Sequence, residues 1–533
     1  MFLCAAEYSD LVPEITKDEG VVTMFDSIKK AIRKNLIPED PPEAQEEIAT
    51  IRTSLQENRI YLYGKFGNSS DFMIKDVTIA GVPAASVTCE GMVDKDLLAR
   101  SVVEPILQAE HMPRKAQDQI EYIRSQVVTN VDSKDVYHFS QAIDLLLSGF
   151  ALLFIDSVGY CEAYGVQGYP TRSISDSETQ AQERGAREGF VESVKMNMTL
   201  VRRRLKTPQA RFEMINLGSS SNTQVCLCYM ADRVKPAILD EVKRRLDRIK
   251  LDIVLESGYI QPFLDTNVKS MFTAVGVVER PDSFCAKVSE GRVGILVDGT
   301  PYALVVPFLF IENFHSPDVY AMRPYYAVFL RMTKLLSFFI SILLPGFYVA
   351  IATFHQELLP ESVLYDIVST HARTPLPIML EAVLIHFIYE IMREAGLRVP
   401  KQMGHAVSII GAIVIGDAAV TAGVIAPPML IIVAISAITS YVTPSLFEPI
   451  SILRFVYIFA GGLLGFYGIM LLSVIVLANL CAINPYGIPY MSPISPYYKS
   501  ALRDGIYRAG WKNLSRHKMV VQELGSRSGK AVR

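Results

Sequence analysis

GHAVSIIGAIVIGDAAVTAG, residues 404–423, is the stretch that decides how the chain is read. It holds one acid and no Lys or Arg, and about 20 mostly apolar residues is what a helix needs to cross hydrocarbon. On a helical pitch Ala412, Gly416, Ala419 and Gly423 share one face that is nearly bare of side chains, and such faces let helices approach closely in lipid. The other side carries Ile410, Val414, Asp417 and Thr421, so a carboxylate and a hydroxyl sit one turn apart on one stripe. An acid at that depth is costly. Asp417 is therefore either satisfied by a neighbouring helix or kept protonated, or else exposed to a water-lined path, in which Ile410, Ile413 and Val414 would form an apolar constriction.

Outward from this helix the chain divides in two. Apolar residues dominate from Ala327 to Ile483 and thin out before Val305, so a soluble half precedes a membrane half. Charge is nearly balanced in sum but not in place: residues 1–50 hold 11 acids against 5 Lys or Arg, and residues 499–533 hold 9 Lys or Arg against 2 acids. A basic tail suits the anionic cytoplasmic leaflet. No secretory signal opens the chain, because Glu7 and Asp10 interrupt its only early apolar run, which is expected to leave the soluble half in the cytosol.

That half reads as α/β. A strand ending near Cys89 leads into VDKDLLARSVVEPIL and later into a hairpin, GFALLFIDSVGYCEAY; QVCLCYMADR leads into VKPAILDEVKRRLDRI and later into GRVGILVDGTPYALVVP. Val93 to Gly149 spans 56 positions and Val234 to Gly291 spans 57. The match suggests two βαβ-like subdomains related by duplication. Expected boundaries are an acidic leader at 1–50, subdomains at 51–170 and 211–320, a linker and helix at 171–210, a multi-span membrane domain at 321–490 and a basic cytosolic tail at 491–533.

Chemistry-bearing motifs are scarce. There is no P-loop, no metal-ligand pair and no nucleophile elbow, so neither an enzyme nor a cofactor is expected. Cys226 and Cys228 alternate on a strand and read as a packed reduced pair. Arg202, Arg203 and Arg204 read as a solvated or ion-paired helix face, with no wider basic surface for nucleic acid. His355 and His371 flank an acidic loop and read as solvated.

In the membrane half, Ala327 to Phe354 forms a first span whose Arg331 and Lys334 are expected to snorkel toward the cytosol. Pro375 to Ile391 returns with Glu381 inside it, and Glu390, Arg393 and Glu394 cluster at its edge; Glu390 and Arg393 are placed to pair along the helix. Pro427-Pro428 breaks the chain after the 404–423 helix. Ile450 to Ile483 is too long for one simple span, and Gly461, Gly462, Gly465 and Gly468 give it a place to bend into a hairpin. The same glycines could instead pack it against its neighbours. An even number of crossings, which returns the basic tail to the cytosol, is favoured, reached either by that hairpin or by making one earlier segment re-entrant.

Several pieces together resemble the A subunit of the GerA family of bacterial spore germinant receptors: RGAREGF (184–190), VVERPD (277–282), VDGTPYALVVP (297–307), LPGFYVA (344–350), MREAGLRVP (392–400) and GAIVIGDAAV (411–420). Two departures stand out. Ala186 replaces a proline that the family usually has, and Asp417 stands where a glutamine is usual. The resemblance implies a multi-pass protein of the spore inner membrane, with its N-terminal domains in the spore core. It also implies a homo-oligomer, pentameric, working with a transporter-like, nutrient-binding B subunit and a lipoprotein C subunit, and gating monovalent cations. A related branch of the family that amplifies ion release fits the same motifs. The residues themselves leave a secondary transporter and a structural scaffold open beside the channel.

Overall fold

The computed structural model describes residues 49–109, 111–128, 130–169, 185–265, 270–372, 374–398, 416–498, 501–505, 507–510, 521 and 524. Residues 1–48 of the acidic leader lie outside them.

Helix α1 (Leu55–Phe66) starts where the Ser54 hydroxyl accepts the Glu57 N–H and ends at Gly67, whose φ is 56°. Strands β1 (Phe72–Ile79) and β2 (Val82–Cys89) follow, joined by Ala80 and Gly81 with φ of 45° and 88°. Two central residues of positive φ are the turn whose twist matches an antiparallel ribbon. After a helical stretch come β3 (Ser133–Val136), α2 (Phe139–Leu146), β4 (Ala151–Ile155) and β5 (Cys161–Tyr164). The sheet order is β1-β2-β4-β5-β3, and every neighbouring pair is antiparallel. β4 is buried along its whole length, as its unbroken ALLFI run requires of a strand covered on both faces.

The same arrangement recurs. Helix α3 (Val194–Arg204) leads into β6 (Ala210–Leu217), β7 (Thr223–Met230), α4 (Pro236–Asp247), β8 (Gly276–Val278), α5 (Pro281–Ser289), β9 (Val293–Val297) and β10 (Ala303–Val306). Their order is β6-β7-β9-β10-β8, again antiparallel at every contact. This corrects the βαβ-like reading. β3 and β4 do run the same way, linked by α2, but β5 lies between them, so the crossover is split. Alternating apolar and helical runs are written alike in both topologies; hydrogen-bond partners distant in sequence decide between them.

A buried ion pair joins the two subdomains. Arg202 Nε and Nη2 donate to Asp71 Oδ2 and Oδ1 at 2.7 and 3.2 Å, and two further donors reach the carbonyls of Thr207 and Ala210 at 2.8 Å each. Arg203 lies over the Tyr169 ring and Arg204 pairs with Glu188. The triple arginine is thus an ion-paired joint, with Arg202 only 1% exposed. Cys226 and Cys228 are buried free thiols on β7.

The helical region comprises α6 (Pro324–Phe354), α7 (Glu361–His371), α8 (Ile378–Arg398), α9 (Gly416–Thr421), α10 (Pro427–Tyr441) and α11 (Phe447–Ala482). Two helices, Pro324–Phe354 and Pro444–Ala482, are long and apolar enough to cross a membrane, and Pro427–Tyr441 is apolar but shorter. α11 is not straight. Gly465 has φ 60° and ψ −145°, and the Tyr457 hydroxyl lies 3.0 Å from that of Ser473, although 16 residues of straight helix would separate them by about 24 Å. The two arms fold back on each other about Gly465, the hairpin alternative of the two that the glycines left open.

Both arms meet the soluble region at their outer ends. Ser445 Oγ donates to the Asn313 carbonyl at 3.5 Å, Ser270 Oγ to Asn479 Oδ1 at 2.8 Å, and Tyr486 OH to the Leu264 carbonyl at 2.9 Å. The start of α6 is strapped there too. Arg331 donates to Asp504 Oδ1 and to the carbonyls of Asp504 and Gly505, each at 2.9 Å, and Arg508 donates to the carbonyls of Tyr320 and Met322. Arg331 therefore does not snorkel; it is 2% exposed. Lys334 donates to Ser316 Oγ at 2.7 Å.

Below this junction Arg292 and Lys287 converge on Glu312. Burial by itself would raise the Glu312 carboxyl, but the two cations beside it prevail and hold it at about 2.

Candidate functional site

Pro345 lies inside α6 and has no N–H, so the Ser341 carbonyl one turn earlier loses its intrahelical donor. Two other helices replace it. Ser436 Oγ on α10 donates to Ser341 O at 2.9 Å, and Arg454 Nε on the first arm of α11 donates to the same oxygen at 3.1 Å. Arg454 also donates to the Ser436 carbonyl and to Glu390 Oε1 on α8, both at 3.4 Å. Its side chain is fully buried. Glu390 in turn accepts from Arg393 Nε at 3.0 Å, and the Arg393 guanidinium lies 3.8 Å above the Phe447 ring. The expected pair along α8 is thus present, and it forms one limb of a node that binds four helices. A buried guanidinium requires such an arrangement, because each unpaired donor is costly away from water.

Immediately past this node the α6 and α11 backbones touch. A Cβ on Gly461 would meet the Gly346 carbonyl oxygen at 2.4 Å, and one on Gly346 would meet that of Tyr457 at 2.6 Å. Only glycine at both positions permits the crossing.

A second polar cluster lies nearer the far end of α6. Glu381 is fully buried; its Oε1 accepts the Ala426 N–H at 2.5 Å, the N-cap amide of α10, and its Oε2 lies 3.0 Å from His371 Nδ1. Tyr348 OH lies 3.1 Å from His371 Nε2. The break at Ala426 and Pro427 exposes helix-terminal amides inside the helical region, and a carboxylate there meets both the free donor and the positive end of the helix. The expectation of a solvated His371 is therefore corrected: its side chain is 8% exposed, enclosed by Glu381 and Tyr348. His355 likewise has a structural partner, since its Nε2 accepts the Phe466 N–H at 3.3 Å and its ring stacks on Phe466.

Of the helix that opened the sequence reading, Ile410, Ala412, Ile413 and Val414 lie outside the described residues. In its described part Gly416 is buried, and a Cβ there would meet Leu430 of α10 at 3.5 Å. Ala419 packs against the buried cluster that includes Ile425, Met429 and Val433. The described part of the small face, Gly416 and Ala419, thus lies against the chain's own α10. Asp417 and Thr421 are exposed on the other side, and the helix stops before Gly423, whose φ is 66°. Glu394 pairs with Arg398 at 2.7 Å on the surface.

Sequence reasoning passed over Arg454 and the role of Ser341. The one available signal was Pro345 inside an apolar run, which announces an orphan carbonyl four residues earlier. Among the described residues no group of three or more His, Cys, Asp or Glu side chains is placed to hold a metal.

The sequence matches a family model described as Bacillus/Clostridium GerA spore germination protein over residues 61–520. It is 36% identical over 494 residues to spore germination protein KA of Bacillus subtilis (strain 168), covering 92% of this chain and 90% of that one. Spore germination protein GerLA of Bacillus cereus is 34% identical over 440 residues, covering 82% of this chain and 89% of that one. Among solved structures, the N-terminal domain of the A subunit of the Bacillus megaterium spore germinant receptor GerK3 is 27% identical, with a TM-score of 0.40, and the match covers 50% of this chain and 99% of that chain.

Proposed function

This chain belongs to the GerA family of spore germination proteins, and from that premise we propose that it is the A subunit of a nutrient germinant receptor: an oligomeric, pentameric channel of the spore inner membrane that releases monovalent cations. In this reading the two sheets and the basic tail lie in the spore core, and B and C subunits complete the receptor. Nutrient binding falls to the B subunit.

The observation that carries the channel is the contrast between Asp417 and two other acids of the helical region, Glu381 and Glu390. Glu381 and Glu390 are engaged by Ala426, His371, Arg393 and Arg454 within the chain. Asp417 faces outward beside Thr421 and makes no ion pair among the described residues. An outward acid on an apolar helix is tolerated where it meets water, and several copies arranged around an axis supply that water. The folded-back arms of α11 support the sidedness, because they bring the tail to the side of the soluble sheets. The test is single-channel recording of the purified, reconstituted chain with particle symmetry determined by imaging. Unitary conductance steps from a five-fold particle support the reading; a monomer without conductance overturns it.

The break at Ala426 favours one other reading, a secondary transporter, since discontinuous helices line substrate sites in that class. There Glu381 would exchange Ala426 for substrate, and uptake into liposomes would be saturable and stoichiometric. A scaffold would show neither conductance nor uptake.

A further inference from the structure

The turn between the two arms of α11 is closed by a side chain from another helix. Gly465 breaks the helix, which leaves the Phe466 N–H as the first orphan donor of the second arm. His355, one residue past the end of α6, supplies the acceptor: Nε2 to N is 3.3 Å, and the rings of His355 and Phe466 stack at 4.5 Å with 7° between their planes. An acceptor Nε2 means that the proton of the neutral ring is on Nδ1. That nitrogen lies 3.6 Å from Glu357 Oε1, whose side chain is largely exposed.

We propose that His355 is a proton-operated clasp on the α11 hairpin: the neutral ring caps Phe466, and the protonated ring releases it and pairs with Glu357. The two states exclude each other at one atom. A protonated Nε2 is a donor and faces the Phe466 N–H, a second donor, whereas the charge gained by the ring is balanced by the carboxylate at Nδ1. Imidazole is the side chain suited to such exchange near neutral pH.

The apex contributes Gly465 and Phe466, which carry no charge. Phe347 and Phe354 of α6 contact the same corner. On α7, His371 is held by Glu381 and Tyr348. The clasp sits at the end of α6 remote from the soluble sheets, so under the membrane reading it samples the compartment opposite them. The hairpin geometry on which it rests is independent of whether the chain conducts ions.

The test is hydrogen exchange of the segment containing Phe466 in the full chain in lipid nanodiscs, with protection expressed relative to the unstructured rate at each pH. Protection is expected to fall at least tenfold between pH 8 and pH 5 in the wild type. His355→Phe keeps the stacking and removes the acceptor, and should be poorly protected at both. Equal protection of the wild type at both pH values, or protection of His355→Phe at pH 8 equal to that of the wild type, overturns the proposal. Loss of the pH 5 effect without loss of conductance would leave the channel reading standing.

Discussion

Arg454 Nε lies 3.1 Å from the Ser341 carbonyl oxygen, the acceptor that Pro345 deprives of its intrahelical donor. The pair are 113 residues apart, and through them a kink in one helix is sealed by the hairpin that packs on it. The crossing of α6 and α11 at Gly346 and Gly461 follows directly beyond.

Because Ser436 shares that acceptor, the two donors are expected to be coupled. Arg454→Met should cost about 3 kcal/mol, as loss of one partner from a buried charged pair does, and Ser436→Ala about 1 kcal/mol. The double variant, which leaves the carbonyl bare, should cost more than the sum. Unfolding of the full chain in detergent measures all three; strict additivity contradicts a shared acceptor.

Gly461 and its neighbour Gly462 should respond differently. A methyl on Gly461 meets backbone at 2.4 Å, while one on Gly462 meets the Met379 side chain at 2.5 Å. Met can move aside and a backbone carbonyl cannot. Gly461→Ala is expected to destabilise by about 2 kcal/mol and Gly462→Ala by clearly less. Melting temperatures that fall equally would refute the backbone crossing.

Glu312 makes stability depend on acid. Its folded value of about 2 lies below the ordinary 4.5, so its contribution is fully present above about pH 4.5 and is lost as pH falls toward 2; a shift of that size is worth on the order of 3 kcal/mol. Glu312→Gln should lower stability above pH 4.5 and flatten the acid limb. A variant whose acid limb matches the wild type would show that the Arg292 and Lys287 pairings contribute nothing there.

The readable parts of this fold were those written locally. Alternation and turn residues placed the hairpins at Asp156 and at Asp298-Gly299, and four glycines marked a place where α11 could bend. What escaped was partnership across the chain. Arg202 finds Asp71 131 residues away and Arg331 finds Asp504 173 away, so nothing local distinguishes them from arginines bound for solvent. The antiparallel order of both sheets escaped for the same reason. At Asp417 the periodicity placed the acid opposite the small face, and the described turn of α9 has Gly416 inward and Asp417 outward; the described part of the small face, though, lies against α10 of the same chain.

The most direct measurement is the reversal potential of the reconstituted chain under a salt gradient, in wild type and Asp417→Asn. The account predicts a cation-preferring wild type whose preference falls in the variant while unitary conductance persists. A reversal potential unchanged by the substitution would contradict the claim that this carboxylate faces the ion path.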